Sequence, residues 1–208
     1  YELASRSEKF FLTRPRRFGK SLLVSTFASL FKNGLKYFSG LAIEKLWKDT
    51  TYNVVEIDFS EIKNITGFED FKKQLNETLE SAFKPLGFEL DRSSDISLMK
   101  QLSAWMKTIA LNSVVLLIDE YDSPLTACLG DKALFRSVRT RLASFYATVK
   151  ANDRCFRFVF MTGIAKFNQT GIFSELNNFS DLSLDPRYGT FLGYSEDDIR
   201  TYFSGYLN

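Results

Sequence analysis

The chain contains no histidine at all, and only two cysteines and four prolines in 208 residues. Without histidine there can be no Ser-His-Asp triad, no histidine general base and no His-containing zinc site. Cys128 and Cys155 stand in unrelated settings. They cannot build a zinc site or a disulfide framework, so both are expected to pack as small apolar residues in a reducing cytoplasm. No apolar run approaches transmembrane length, and no signal-peptide pattern opens the chain. Charge of one sign is also lacking. The 27 Lys and Arg nearly balance the 25 Asp and Glu, leaving a net charge of +2. That balance gives no support to a nucleic-acid or membrane-surface partner. The chain starts at Tyr1 rather than Met and stops at Asn208, and it is read as a fragment of a longer protein.

What is present is a large apolar complement. Hydrophobic residues make up 45% of the chain, including 21 phenylalanines, enough for one α/β domain with an aromatic core. Its most informative stretch is Arg14-Pro15-Arg16-Arg17-Phe18-Gly19-Lys20-Ser21. A short apolar run, Phe10 to Thr13, precedes it. An amphipathic segment follows, with Leu23, Phe27, Leu30 and Phe31 on one face. Strand, loop and helix in that order are the setting of a phosphate-binding loop, in which backbone N–H groups and a helix N-terminus wrap the phosphates. Gly19, Lys20 and Ser21 fill the last three places of G-x-x-x-x-G-K-[ST]. Arg14 stands where the first glycine belongs. The competing reading is a helix start with a solvated basic approach.

The remaining periodicities predict further elements. A short helix is expected over Leu41–Lys48 and a strand over Tyr52–Phe59. A helix opened by Gly67 and closed by Pro85 and Gly87 comes next, then a helix capped by Ser94-Asp95. Val114 to Ile118 are all apolar, as in a strand buried on both faces of a parallel sheet. A helix over Lys132–Lys150, a strand over Phe156–Thr162 and a long polar loop over Gly163–Ser180 follow. A short last strand is expected over Asp181–Leu184, and Gly193 to Asp198 cap a final helix. Alternating strands and helices imply a doubly wound sheet, whose ligands bind at the carboxyl ends of the strands.

Three groups fall at such ends. Asp119-Glu120 close the apolar strand in the manner of a Walker B motif. Asp119 would hold Mg²⁺ with Ser21, and Glu120 would polarise the water that attacks a terminal phosphate. Thr162 ends the next strand, where its hydroxyl would reach that phosphate or the water; a strand-favouring threonine is the alternative. Asp58 and Asp122 are candidates for supporting carboxylates or for turn caps. Asn177 and Asn178 lie in the long loop, near the same edge.

Together these stretches resemble the predicted AAA-ATPase-like family of bacterial proteins. The matching segments are Phe11–Leu22, Leu117–Leu125, Met161–Ile164, Phe173–Asn178 and Leu184-Asp185 through Gly193-Tyr194, in the family's order. The resemblance implies a three-layer α/β P-loop NTPase core with a parallel sheet of about five strands in the order 5-1-4-3-2 and helices on both faces. It makes the arginine at position 14 a family trait. It implies ATP and Mg²⁺ as ligands. Arg14, Pro15, Arg16, Arg17, Phe18, Gly19, Lys20, Ser21 and Leu22 would form the nucleotide loop, Lys20, Glu120 and Thr162 the catalytic set, and Ser21 and Asp119 the metal ligands. It further implies a core over residues 1–192, the start of a helical lid or linker over 193–208, and fusion in many members to a nuclease-like domain. The expected function is Mg²⁺-dependent ATP hydrolysis by a module of a larger protein. A nucleotide-dependent switch with little hydrolysis is the alternative, and a nucleic-acid-binding domain is a third reading supported only by the basic loop.

Overall fold

The computed structural model describes residues 1–165 and 178–206. Its strands are β1 (Lys9–Thr13), β2 (Asn53–Asp58), β3 (Val114–Asp119), β4 (Phe156–Gly163) and β5 (Ser180–Asp181). Its helices are α1 (Glu2–Ser5), α2 (Lys20–Asn33), α3 (Ile43–Leu46), α4 (Phe68–Phe83), α5 (Leu98–Met106), α6 (Ser123–Ala127), α7 (Lys132–Ala151) and α8 (Glu196–Tyr202). The five strands form one sheet in the order β2-β3-β4-β1-β5, parallel throughout. Read from its other edge, this is the expected 5-1-4-3-2.

Each buried strand sends alternate side chains into two different cores, which is why β3 and β4 carry uninterrupted apolar runs. Val115, Leu117, Phe158 and Phe160 pack with Phe10 and Leu12 against α2. Leu116, Ile118, Val159 and Met161 pack against α4, α5 and α7 through Leu75, Leu79, Leu102, Leu142 and Phe145. The α2 side is built from phenylalanine. Phe27 lies 4.9 Å from Phe160 and 5.1 Å from Phe158, and Phe31 lies 5.0 Å from Phe158, centroid to centroid. Tilted and edge-on rings at these separations add to simple area burial. They fix α2, and with it the loop at its N-terminus, against β1 and β4.

Three local expectations shift. Ser94-Asp95 do not cap α5; it begins at Leu98 after Ser97. The Ser94 hydroxyl instead accepts the Ile96 N–H, and the Gln101 amide binds the carbonyls of Asp91 and Ile96. The run of Ser and Asp residues therefore makes a turn, which competes with helix initiation. The helix expected over Leu41–Lys48 shrinks to Ile43–Leu46, although Trp47 remains buried. The last strand lies at Ser180–Asp181 rather than Asp181–Leu184. After Leu182 bonds Phe11 the chain turns away, leaving Leu184 92% exposed. The short helix α6, with Pro124 in its first turn, was not foreshadowed by periodicity.

Candidate nucleotide site

The loop between β1 and α2 has two left-handed residues, Arg17 at φ 67° and Gly19 at φ 83°. Position 14 is not left-handed, so its backbone does not require glycine. The Arg14 side chain has a different task. Its guanidinium donates to the carbonyls of Thr13 (3.0 Å), Ser183 (2.8 Å) and Tyr188 (2.8 Å). The Ser183 hydroxyl meets Thr13 as well, accepting its N–H at 2.9 Å. Arg14 thus ties the base of the loop to the segment after β5.

Gly19 is the residue before α2, and no side chain caps that helix. Its first-turn N–H groups are therefore left to an outside acceptor, the ordinary circumstance of an anion-binding helix start. Lys20 is only 6% exposed, and its ammonium donates to the carbonyls of Arg14 and Pro15 at 3.0 Å each. A buried ammonium held by neutral carbonyls alone retains its net charge for an anion. Ser21 is exposed beside it.

The acidic end of β3 lies across from Lys20. Asp119, 7% exposed, accepts a hydrogen bond from the fully buried Thr162 hydroxyl and another, at 2.9 Å, from the Glu120 N–H. Thr162 therefore orients Asp119. Glu120 is a non-glycine residue at φ 49°, a conformation of the kind held only where neighbours enforce it. Here they do: its carbonyl accepts from Ser123 N–H at 2.9 Å, and the following Tyr121 N–H binds the Thr162 carbonyl at 2.9 Å. Burial raises the Glu120 pKa. Repulsion from Asp119, Asp58 and Asp122 adds to the rise, against an opposing pull from Lys20.

The two other carboxylates are structural. Asp58 accepts the Ser60 N–H and caps a turn. Asp122, 1% exposed, accepts the Ile164 N–H and, at 2.9 Å, the Ala165 N–H. The Tyr121 hydroxyl donates to the Ala165 carbonyl at 2.6 Å. This clasp between the ends of β3 and β4 escaped the sequence reading; the aromatic between two carboxylates was its only trace. Gly163 is required there, because a Cβ would lie 2.4 Å from the Tyr121 ring and 2.6 Å from an Asp122 oxygen. Gly163→Ala is expected to cost about 1–3 kcal/mol by overpacking. Urea unfolding of the variant beside the parent measures it; an unchanged midpoint would refute the clasp.

A cleft of about 370 Å³ flanks the loop on the β5 side, lined by Arg17, Phe18, Leu22, Thr26, Phe191 and Tyr194. Phe18 (40% exposed) and Leu22 (71% exposed) offer apolar surface there. Of the long loop, Asn178 is an exposed turn residue. Asn177, Gly171 and Phe173 to Leu176 lie outside the described residues. The thiols conform to a packing role: Cys128 and Cys155 are buried, and burial pushes the Cys155 thiol up to about 11.

No helix among the described residues is long and apolar enough to cross a membrane. Nor do the described residues contain a cluster of three or more Cys, Asp or Glu able to hold a metal by themselves. A Mg²⁺ with one or two protein ligands, completed by water and phosphate, needs no such cluster. Asp119, whose second carboxylate oxygen meets no donor among the described residues, and the exposed Ser21 fit that donor set.

Residues 1–173 match the family described as "Predicted AAA-ATPase". A protein from Azotobacter chroococcum mcd 1, described as an uncharacterized protein in the vnfD 5' region, is 32% identical over 204 residues. That match covers 98% of this chain and 39% of the relative, so the chain spans well under half the relative's length. Among solved structures, the Aeropyrum pernix ORC2 protein (ADPNP-ADP complexes) aligns with a TM-score of 0.38 at 12% identity. The alignment covers 98% of this chain and 46% of that one.

Proposed function

Because the chain belongs to the predicted AAA-ATPase family, we propose that it binds ATP at the Arg14–Leu22 loop and hydrolyses it with Mg²⁺. The observation that carries this reading is the convergence of Lys20, Asp119, Glu120 and Thr162 at the carboxyl ends of β1, β3 and β4. The α2 N–H groups and the Lys20 ammonium receive the phosphates. Ser21 and Asp119 would hold Mg²⁺, which would supply positive charge to offset that of the phosphates. Glu120 accepts the proton of the attacking water. The water oxygen bonds to the terminal phosphorus, the bond to the bridging oxygen breaks, and ADP leaves. Thr162 acts through Asp119, as a positioning residue. Phe18, Leu22, Phe191 and Tyr194 offer an apolar seat for the base.

Residues 1–192 serve as the nucleotide core in this reading, and 193–208, including the capping box of Ser195 and Asp198 on α8, begin a lid or linker. The module works within a longer, cytoplasmic protein. A nuclease-like domain in the same chain would be served by such a motor or switch. Nucleic acid has no support from the charge balance. The test is release of phosphate from Mg²⁺-ATP by the intact protein, beside a thermal shift with the same nucleotide. Turnover together with a shift is the expected result. A shift without turnover selects a nucleotide switch, and neither effect at millimolar ATP refutes nucleotide binding.

A further inference from the structure

A second cleft, of about 470 Å³, opens on the other side of the loop, towards β3 and β2. It shares no lining residue with the base-side cleft. Glu120 lies in its wall, flanked by Arg16 from the nucleotide loop, Ser60 and Lys63 from the segment after β2, and Ser123.

The segment carrying Lys63 is pinned. The Gln74 side chain binds its peptide on both sides, accepting the Lys63 N–H and donating to the Lys63 carbonyl at 3.1 Å each. Asn64 follows at φ 52°. Neither the Arg16 nor the Lys63 side chain has an ion-pair or hydrogen-bond partner among the described residues. Elsewhere Lys32 and Arg92, also exposed, do find carboxylates. Two cations without a partner among the described residues and two serines therefore line one concave surface, whose wall also contains the proposed base and Asp122, the latter already accepting the Ile164 and Ala165 N–H groups.

From this geometry we infer that the cleft is a second anion site, taking the inorganic phosphate cut from ATP and serving as its way out. The inference rests on the ATPase reading. ADP remains anchored by Lys20 and the α2 N-terminus, so the phosphate must leave by another face, and the cleft adjoins Glu120. The volume suits phosphate with its water. Arg16 and Lys63 offset its charge, and the serines supply hydroxyl donors. The Glu120 carboxyl, which in the ATPase reading has just taken the proton of the attacking water, donates to a phosphate oxygen instead of repelling it.

The probe is inorganic phosphate, titrated into the intact protein with and without saturating Mg²⁺-ADP and followed by ³¹P line broadening. Phosphate is expected to bind in both states. Lys63→Ala, an exposed change that leaves the fold intact, should weaken it about tenfold, as loss of one charge-assisted bond does. ADP affinity should stay unchanged. During turnover, added phosphate should inhibit the parent more strongly than the variant. Binding that is equal in parent and Lys63→Ala overturns the proposal. So does binding abolished by ADP, because the phosphate then sits only in the nucleotide loop. The titration needs no catalysis, so absence of ATP cleavage would sink the ATPase reading without deciding the fate of this site.

Discussion

Glu120→Gln should abolish nearly all ATP turnover while leaving nucleotide binding intact. Loss of a positioned general base lowers rates by about 10²–10⁴-fold, and the amide is nearly isosteric. The backbone bonds that hold residue 120 at positive φ involve only main-chain atoms and the Asp119 carboxylate, so they survive the change. The folded state should not suffer. A carboxyl whose folded-state pKa lies above its unfolded value gives its full stability below the unfolded pKa and loses it as pH rises through the folded one. Burial and the neighbouring Asp119 place Glu120 in this class. At neutral pH its charge therefore opposes folding, and Gln should leave the melting temperature equal or slightly higher. The same shift moves the acid limb of the pH–rate profile above the ordinary glutamate range, since the base must be ionised to accept a proton. Steady-state phosphate release, ATP titration and thermal melts check the three parts together. Turnover within a few-fold of the parent would remove Glu120 from the role of base.

The parts of the site legible in the sequence were those written in neighbouring residues. The apolar run before Asp119 reports burial on both faces, because both faces of β3 are covered. Gly19-Lys20-Ser21 report a helix start, since only local geometry is involved. The strand order was carried by family resemblance, not by periodicity, which says nothing about which strands pair. What stayed hidden depends on residues far apart in the chain. Arg14 reads as a family departure from the motif without a stated task until Ser183 and Tyr188 are seen to accept its hydrogen bonds. Asp122 reads as a turn cap or supporting carboxylate until Ile164 and Ala165 arrive beside it. Ser94-Asp95 mislead for the opposite reason. Several equivalent hydroxyls and carboxylates lie close together, and which of them starts the helix is settled by Gln101, whose amide binds the turn.

The complementary prediction concerns binding. Lys20→Ala should remove measurable affinity for Mg²⁺-ATP, because it deletes the one buried ammonium at the mouth of α2. Truncating one partner of a buried, hydrogen-bonded charge pair costs about 2–5 kcal/mol, which corresponds to a loss of about 30-fold to several thousand-fold in affinity. The variant should also unfold more readily without nucleotide. The carbonyls of Arg14 and Pro15 each lose the donor that Lys20 supplies at 3.0 Å. Partial access of water to an exposed Pro15 limits that loss, so a destabilisation of about 1–2 kcal/mol is expected. The two observables separate the roles of the lysine. Its packing within the loop is read by urea unfolding without nucleotide, and its charge towards phosphate by the ATP-induced thermal shift. Lys20→Met, which keeps most of the buried aliphatic stem, should recover stability in part and binding not at all. If either variant retains the parent's affinity, the phosphates do not sit at this loop. Paired with Glu120→Gln, the set divides binding from chemistry: ATP should shift the melting of the Gln variant fully and that of the Ala variant not at all.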